Sequence, residues 1–187
     1  MRARDLPNLI SLLRILLVLP LVVLVLHREN GYALVLFGVA GVSDAVDGYL
    51  AKRFDWSSWI GGILDPIADK LLIVATFVAL GVVGSLPLWL VFIVLLRDIV
   101  IVVGAAAYLF FIDRFSAEPT LISKANTVAQ LSLVFAVLVD GAFGILPQGV
   151  EGGLITIVAV TTVASGVGYV FTWGSRARAR TGHHHAP

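Results

Sequence analysis

Asp44 and Asp47 stand three residues apart in one apolar stretch, and Asp65 and Asp69 stand four apart in the next. On a helix of 3.6 residues per turn, each pair projects from one face. Four carboxylates on neighbouring helices, with no His or Cys beside them, form a set of hard oxygen ligands. Such a set suits Mg²⁺, Mn²⁺ or Ca²⁺ and not zinc or copper. The D-x-x-D spacing is not that of an EF-hand loop, which needs alternating ligands and a closing Glu. A purely structural alternative pairs the aspartates with Lys52, Arg53 and Lys70, but two carboxylate pairs flanked by glycines exceed what charge balance requires. Gly48, Ala51, Gly61 and Gly62 lie on or beside the aspartate faces. Their small size lets a phosphate-bearing ligand approach the backbone, or lets helices pack closely.

Two further polar stripes carry complementary chemistry. Asn8, Ser11 and Arg14 recur at i, i+3 and i+6, and Lys124, Thr127 and Gln130 repeat that spacing later in the chain. Together they read as walls of one polar cavity at the level of the aspartates, with Arg14 and Lys124 as cationic donors for phosphate. Arg97, well inside another apolar stretch, reads as a phosphate-binding residue in preference to a structural ion pair. Its neighbour Asp98 projects from another part of the helix and is not expected to pair with it. Asp140 reads as an interfacial residue.

These residues have to be held by elements of unusual composition. Of 187 residues 59% are hydrophobic and only 13% charged, against about 25% charged in soluble domains. An ionised carboxylate at membrane depth costs about 2.5–3.5 kcal/mol, so four of them require cations or a water-filled cavity. A spanning helix needs about 20 mainly apolar residues. Six segments meet that need, near residues 9–27, 32–53, 58–83, 86–111, 121–143 and 153–174. Turn chemistry separates them at Asn30-Gly31, Asp55 to Ser58, Gly84-Ser85, Ser116 to Pro119 and Pro147 to Gly153. The expected fold is therefore an all-α integral membrane protein with six transmembrane helices in one bundle.

With the N-terminus inside, Arg2, Arg4, Lys52, Arg53, Arg114, Lys124, Arg176, Arg178 and Arg180 all fall at cytoplasmic ends, and Arg28 falls outside. The excess of basic residues on one side makes both termini cytoplasmic. Residues 1–175 are expected to form the membrane domain and 176–187 a basic cytoplasmic tail. The run His183, His184, His185 reads as a tail feature and not a metal site. The run Leu9 to Leu26 is interrupted by Arg14 and meets His27, Arg28 and Glu29 without a small-x-small cleavage site, so it reads as a retained span. The lack of a long Arg- and Ser-rich presequence points to a bacterial inner membrane. A net charge of +1 argues against a polyanionic partner such as nucleic acid. With no cysteine there is no disulfide, thiol nucleophile or Cys-ligated zinc.

The run SDAVDGYLAKRFDWSSWIGGILDPIADK, residues 43 to 70, resembles the signature of the CDP-alcohol phosphotransferases, D-x-x-D-G-x-x-A-R-x8-G-x-x-x-D-x-x-x-D. Asp44, Asp47, Gly48, Ala51, Gly61, Asp65 and Asp69 fall on its positions. Lys52 stands where the family usually has Arg, with Arg53 next to it; a Lys lacks the bidentate fork of Arg. PNLISLLR, residues 7 to 14, is similar to the family's N-terminal P-N-x-[LI]-[ST]-x-x-R element.

The resemblance implies a homodimer with two metal ions in a cavity open to the cytoplasm. It implies that Asp44, Asp47, Asp65 and Asp69 hold Mg²⁺ or Mn²⁺ and that Asp69 is the base for the acceptor hydroxyl. Gly48, Ala51, Lys52 or Arg53, with Gly61, Asn8 and Ser11, would hold the CDP moiety, and Arg14, Arg97, Lys124, Thr127 and Gln130 the phosphate or acceptor. Within the family, LPLWLVFIVLLRD (86 to 98) and PTLISKANTVAQLSLV (119 to 134) look most like CMP-forming cardiolipin synthases. The expected reaction is transfer of a phosphatidyl group from CDP-diacylglycerol to phosphatidylglycerol, giving cardiolipin and CMP. Phosphatidylglycerophosphate synthase, with glycerol 3-phosphate as acceptor, is the alternative; Ser123 and Asn126 depart from its usual G-K-x-K-T-x-x-Q. A UbiA-like prenyltransferase lacks the Gly48, Ala51, Gly61 spacing, and a cation carrier would need a polar path to both faces.

Overall fold

The computed structural model describes residues 6–54, 61–111 and 121–181; the side chains of 6–8, 45, 47–52, 61–64, 105–111 and 170–181 lie outside that description. Six helices make up the described chain: α1 (Leu6–Leu26), α2 (Asn30–Phe54), α3 (Gly61–Val82), α4 (Leu88–Phe111), α5 (Leu121–Phe143) and α6 (Val150–Thr181). Their ends fall within about three residues of the expected segments, apart from the C-terminal end of α6, which runs on through residue 175 to Thr181. The basic tail therefore begins on the same helix as the last apolar segment.

Local chemistry sets the helix ends. α1 stops in a Schellman motif, in which Glu29 N donates to Leu24 O at 2.9 Å and Arg28 N donates to Val25 O at 3.0 Å. Arg28 takes the left-handed position with a φ of 60°. The turn expected at Asn30-Gly31 is thus displaced to His27-Arg28, and Asn30 already belongs to α2. α3 ends the same way: Ser85 N bonds Leu80 O, Gly84 N bonds Gly81 O, and Gly84 holds φ 79°. Arg28 Nη2 donates to Val83 O at 2.6 Å, joining the two turns. At the far end of α5, Asp140 Oδ1 accepts from Leu146 N at 3.0 Å and fixes the entry to α6.

α1 lies between α2 and α3, α2 continues onto α5, α5 onto α6 and α6 onto α4. α3 touches α4 and α5 only sparsely, which leaves a gap between them. The apolar core runs through every helix, from Leu21 and Val25 through Ala33, Ala40, Phe77, Leu80, Leu90 and Val94 to Leu133, Leu138 and Val158.

Large apolar side chains crowd the exterior of the described residues. Leu19 is 72% exposed and Leu121 82%, and Leu16, Tyr32, Val35, Phe92 and Val102 also face outward. Arg14, Arg97, Asp98, Asn126 and Gln130, by contrast, are buried. Charge inside and hydrocarbon outside reverses the usual order of a soluble protein and satisfies the demands of a bilayer. Among the described residues, three helices have the length and composition to cross one: Leu9–Leu26, Leu121–Phe143 and Val150–Tyr169.

Gly81 sets the α3–α4 approach, because a Cβ there would stand 2.8 Å from Val91 Cγ2. Gly81→Ala should lower stability by about 1–3 kcal/mol, read as thermal unfolding in detergent. Adding Val91→Ala should cost less than the sum of the single changes, since it removes the clash.

Candidate active site

α1 and α3 run parallel and carry their polar residues in register. Ser11 Oγ donates to Asp65 Oδ1 and, one turn further, Arg14 Nη1 donates to Asp69 Oδ1. The same Arg14 nitrogen lies 2.7 Å from Asp44 Oδ1 of α2. One guanidinium nitrogen therefore gathers oxygens from both aspartate pairs and from two helices. Arg14 is 1% exposed, the largest of the fully buried side chains. The Asp44 and Asp69 side chains are each 44% exposed. A cation enclosed by protein and carboxylates partly open to the outside form a charged floor with an accessible anionic surface.

Nη1 of Arg14, read above as a donor to phosphate, meets the aspartates in this structure. A buried guanidinium needs compensating charge, and α1 brings it directly opposite the α3 carboxylates. Lys70, considered above as a counter-ion for the four aspartates, pairs instead with Asp98 of α4.

Beyond Asp69, the sparse contact of α3 with α4 and α5 opens a cavity of about 500 Å³. Asp69 and Lys70 of α3, Arg97 and Asp98 of α4, and Lys124, Thr127 and Gln130 of α5 line it. The α5 stripe read from i, i+3, i+6 spacing thus faces one space together with Asp69 and Arg97. Thr127 also bonds back to Ser123 O at 3.2 Å. Gln130 is 3% exposed. Gln130 Nε2 and Arg97 Nε have no hydrogen-bond partner among the described residues, so two residues of this wall retain donor capacity.

Arg97 corrects the expectation that it would not meet Asp98. Its Nη1 donates to Asp98 Oδ1 at 2.8 Å, and its Nη2 donates to Ser123 Oγ of α5 and Ser165 Oγ of α6, both at 2.7 Å. Helical projection separates adjacent Cβ atoms, but the long arginine stem folds back far enough to reach the next residue's carboxylate. Asp98, Lys70 and Ser123 line the cavity and Ser165 holds Arg97, none of which helical spacing singles out. The available signal was an Arg-Asp dipeptide in an apolar helix, where two charges each demand partners.

Asp47, Gly48, Ala51, Lys52, Gly61 and Asn8 lie on helical backbone, with side chains outside the described residues. Arg53 is described and exposed near the end of α2. His183, His184 and His185 lie outside the described residues altogether. The donor set fits a hard divalent cation: it is all oxygen, and Asp44 and Asp69 converge on one point from different helices. Among the described residues no three acidic or histidine side chains close into a ligand cluster; Asp47, the fourth carboxylate, is not among them.

An apolar exterior around buried ion pairs and a polar cavity marks a membrane protein. The chain belongs to the CDP-alcohol phosphatidyltransferase family, which it matches over residues 4–172. That family generally depends on divalent metal. The chain is 34% identical over 180 residues to a cardiolipin synthase (CMP-forming)/mitochondrial hydrolase fusion protein of Schizosaccharomyces pombe, covering 88% of this chain and 30% of that protein. It is 32% identical over 180 residues to the cardiolipin synthase (CMP-forming) of Homo sapiens, covering 87% and 60%. A chloroplastic CDP-diacylglycerol–glycerol-3-phosphate 3-phosphatidyltransferase of Oryza sativa subsp. japonica is 38% identical over 162 residues, covering 75% and 49%. The chain thus spans between about a third and three-fifths of the length of these relatives.

Asp98 compensates both Lys70 and Arg97. Asp98→Ala should destabilise the protein by about 3–5 kcal/mol, as expected when one partner of a buried pair is removed. Pairing it with Arg97→Met should recover much of the loss in the same thermal measurement.

Proposed function

We propose that this chain is a CMP-forming cardiolipin synthase, transferring the phosphatidyl group of CDP-diacylglycerol to the glycerol hydroxyl of phosphatidylglycerol. The observation that carries this reading is the meeting of Asp44 and Asp69 on Arg14, with Asp65 held one turn away by Ser11, beside a cavity lined by Lys70, Arg97 and Lys124. The likeness to the yeast and human synthases over nearly nine-tenths of the chain supports it. The rice relative makes glycerol 3-phosphate the competing acceptor.

In this reading all six helices span a bacterial cell membrane, both termini are cytoplasmic, the site opens toward the cytoplasm and the protein works as a homodimer. Residues 1–175 are the catalytic membrane domain and 176–187 a basic tail. Asp44, Asp47, Asp65 and Asp69 hold two Mg²⁺ or Mn²⁺ ions. Bound there, the ions supply neutralisation of the pyrophosphate and acidification of the attacking hydroxyl.

The chain's own groups do the rest. Gly48, Ala51, Lys52 or Arg53, Gly61, Asn8 and Ser11 hold the CDP moiety. Ser11 and Arg14 orient the carboxylates of Asp65 and Asp69. Arg14, Arg97, Lys124, Thr127 and Gln130 hold the phosphate or the acceptor. Asp69, held at Oδ1 by Arg14, takes the proton of the acceptor hydroxyl. The hydroxyl oxygen attacks the phosphorus nearer diacylglycerol, and the bond to the bridging oxygen breaks. CMP departs with that electron pair.

Purified protein given CDP-diacylglycerol and Mg²⁺ or Mn²⁺ should release CMP when phosphatidylglycerol is added, and should stop when metal is chelated. Preference for glycerol 3-phosphate, inositol phosphate or serine as acceptor would overturn the acceptor assignment; full activity in excess chelator would overturn the metal site. Asp69→Asn should abolish turnover, a loss of at least about 10²-fold for a lost general base, while CDP-lipid binding persists. An Asp69→Asn enzyme of normal rate removes Asp69 as the base.

A further inference from the structure

Arg97 lines a second space. Between α4 and α6 a groove of about 340 Å³ is bounded by Ile93, Leu96, Val100, Val163 and Val167, with Arg97 at its wall. Gly166 lies against the Arg97 stem, where a Cβ would stand in ordinary contact, 3.6 Å from Arg97 Cγ. The groove is apolar apart from Arg97 and the buried Thr162. The same Arg97 lines the polar cavity together with Lys124 and Asp69. A charged cavity and an apolar groove that share one arginine have the layout of a phospholipid: phosphate on one side, hydrocarbon on the other.

We propose that the α4–α6 groove seats an acyl chain of the acceptor phospholipid, with Arg97 between the chain and its phosphate. This rests on the functional reading above and deepens it by making α4 and α6 the element that selects a lipid acceptor over a soluble one. The groove and the α3–α4–α5 cavity meet at Arg97, which lines both, whereas the nucleotide signature lies on α2 and the start of α3. The donor's chains therefore belong to the side of that signature. The volume falls in the range of ligand sites, about 300–1,000 Å³, and a buried guanidinium complements the anionic head.

Val163 is 55% exposed and has no part in the polar site, so Val163→Trp fills the groove and leaves the chemistry in place. Leu19→Trp, on the outer face of α1, serves as a control for added lipid-facing bulk. CMP release is measured in mixed micelles with dioleoyl or dihexanoyl phosphatidylglycerol at fixed CDP-diacylglycerol. Val163→Trp should raise the KM for the dioleoyl acceptor by about tenfold or more, the scale on which an apolar subsite discriminates. The dihexanoyl acceptor, the KM for CDP-diacylglycerol and the Leu19→Trp enzyme should stay within about twofold of wild type on that same scale. Equal loss with both acceptors, an unchanged dioleoyl KM, or a rise confined to the donor's KM overturns the proposal, the last two by assigning the groove to annular lipid or to the donor. A wild-type enzyme that accepts only glycerol 3-phosphate overturns the functional reading and this proposal together, before any variant is made. Failure of Val163→Trp alone leaves that reading standing.

Discussion

A single buried cation organises the bundle. Arg14 sits on α1 with one nitrogen against Asp44 of α2 and Asp69 of α3, and no other contact joins three helices through charge at this end of the chain among the described residues. In a bilayer neither an isolated guanidinium nor two adjacent carboxylates is tolerable, so each is the condition for the other. The register of α1 against α3 follows, because Ser11 must meet Asp65 where Arg14 meets Asp69. The turns at the opposite end agree with that register, since Arg28 reaches the carbonyl that closes α3.

A second charge set does for α4, α5 and α6 what Arg14 does for the first three helices. Arg97 joins Asp98, Ser123 and Ser165, and Asp98 passes the connection to Lys70 on α3. The two sets sit on either side of Asp69 and Lys70, where α3 stands off from α4 and α5. Polar side chains line that gap, so sparse packing of α3 against α4 and α5 coincides with a polar cavity. Buried polar groups elsewhere are held locally: Thr161 and Thr162 of α6 both donate to Asn126 Oδ1 at 2.9 Å, fixing α5 against α6 beside the cavity.

The separation of tasks has a physical basis. Van der Waals packing of Leu21, Phe77, Leu90, Leu138 and their neighbours holds the helices together, because lipid offers no hydrophobic drive between spans. Ion pairs then specify which faces meet. In the proposed reaction Asp69 is shared by both arrangements, bound by Arg14 from one side and open to the cavity from the other.

Much of this was legible in the sequence. Long apolar runs broken by turn residues located all six helices, because backbone polar groups in hydrocarbon leave helix as the economical solution. The spacing of the aspartates and of Lys124, Thr127 and Gln130 picked out faces, since helical period alone decides which residues share one. Periodicity is blind to neighbours, however. That Arg14 would turn to Asp44 and Asp69, that Arg97 would fold back on Asp98, and that Lys70 would cross to α4 depended on which helices lie side by side and at what offset. The turn at Arg28 was equally hidden, because an arginine at positive φ is uncommon and its bond to the end of α3 depends on packing. Sequence thus determined the elements and the chemistry each face carries; tertiary packing alone decided the pairings, because a buried charge takes whichever partner the fold brings within reach.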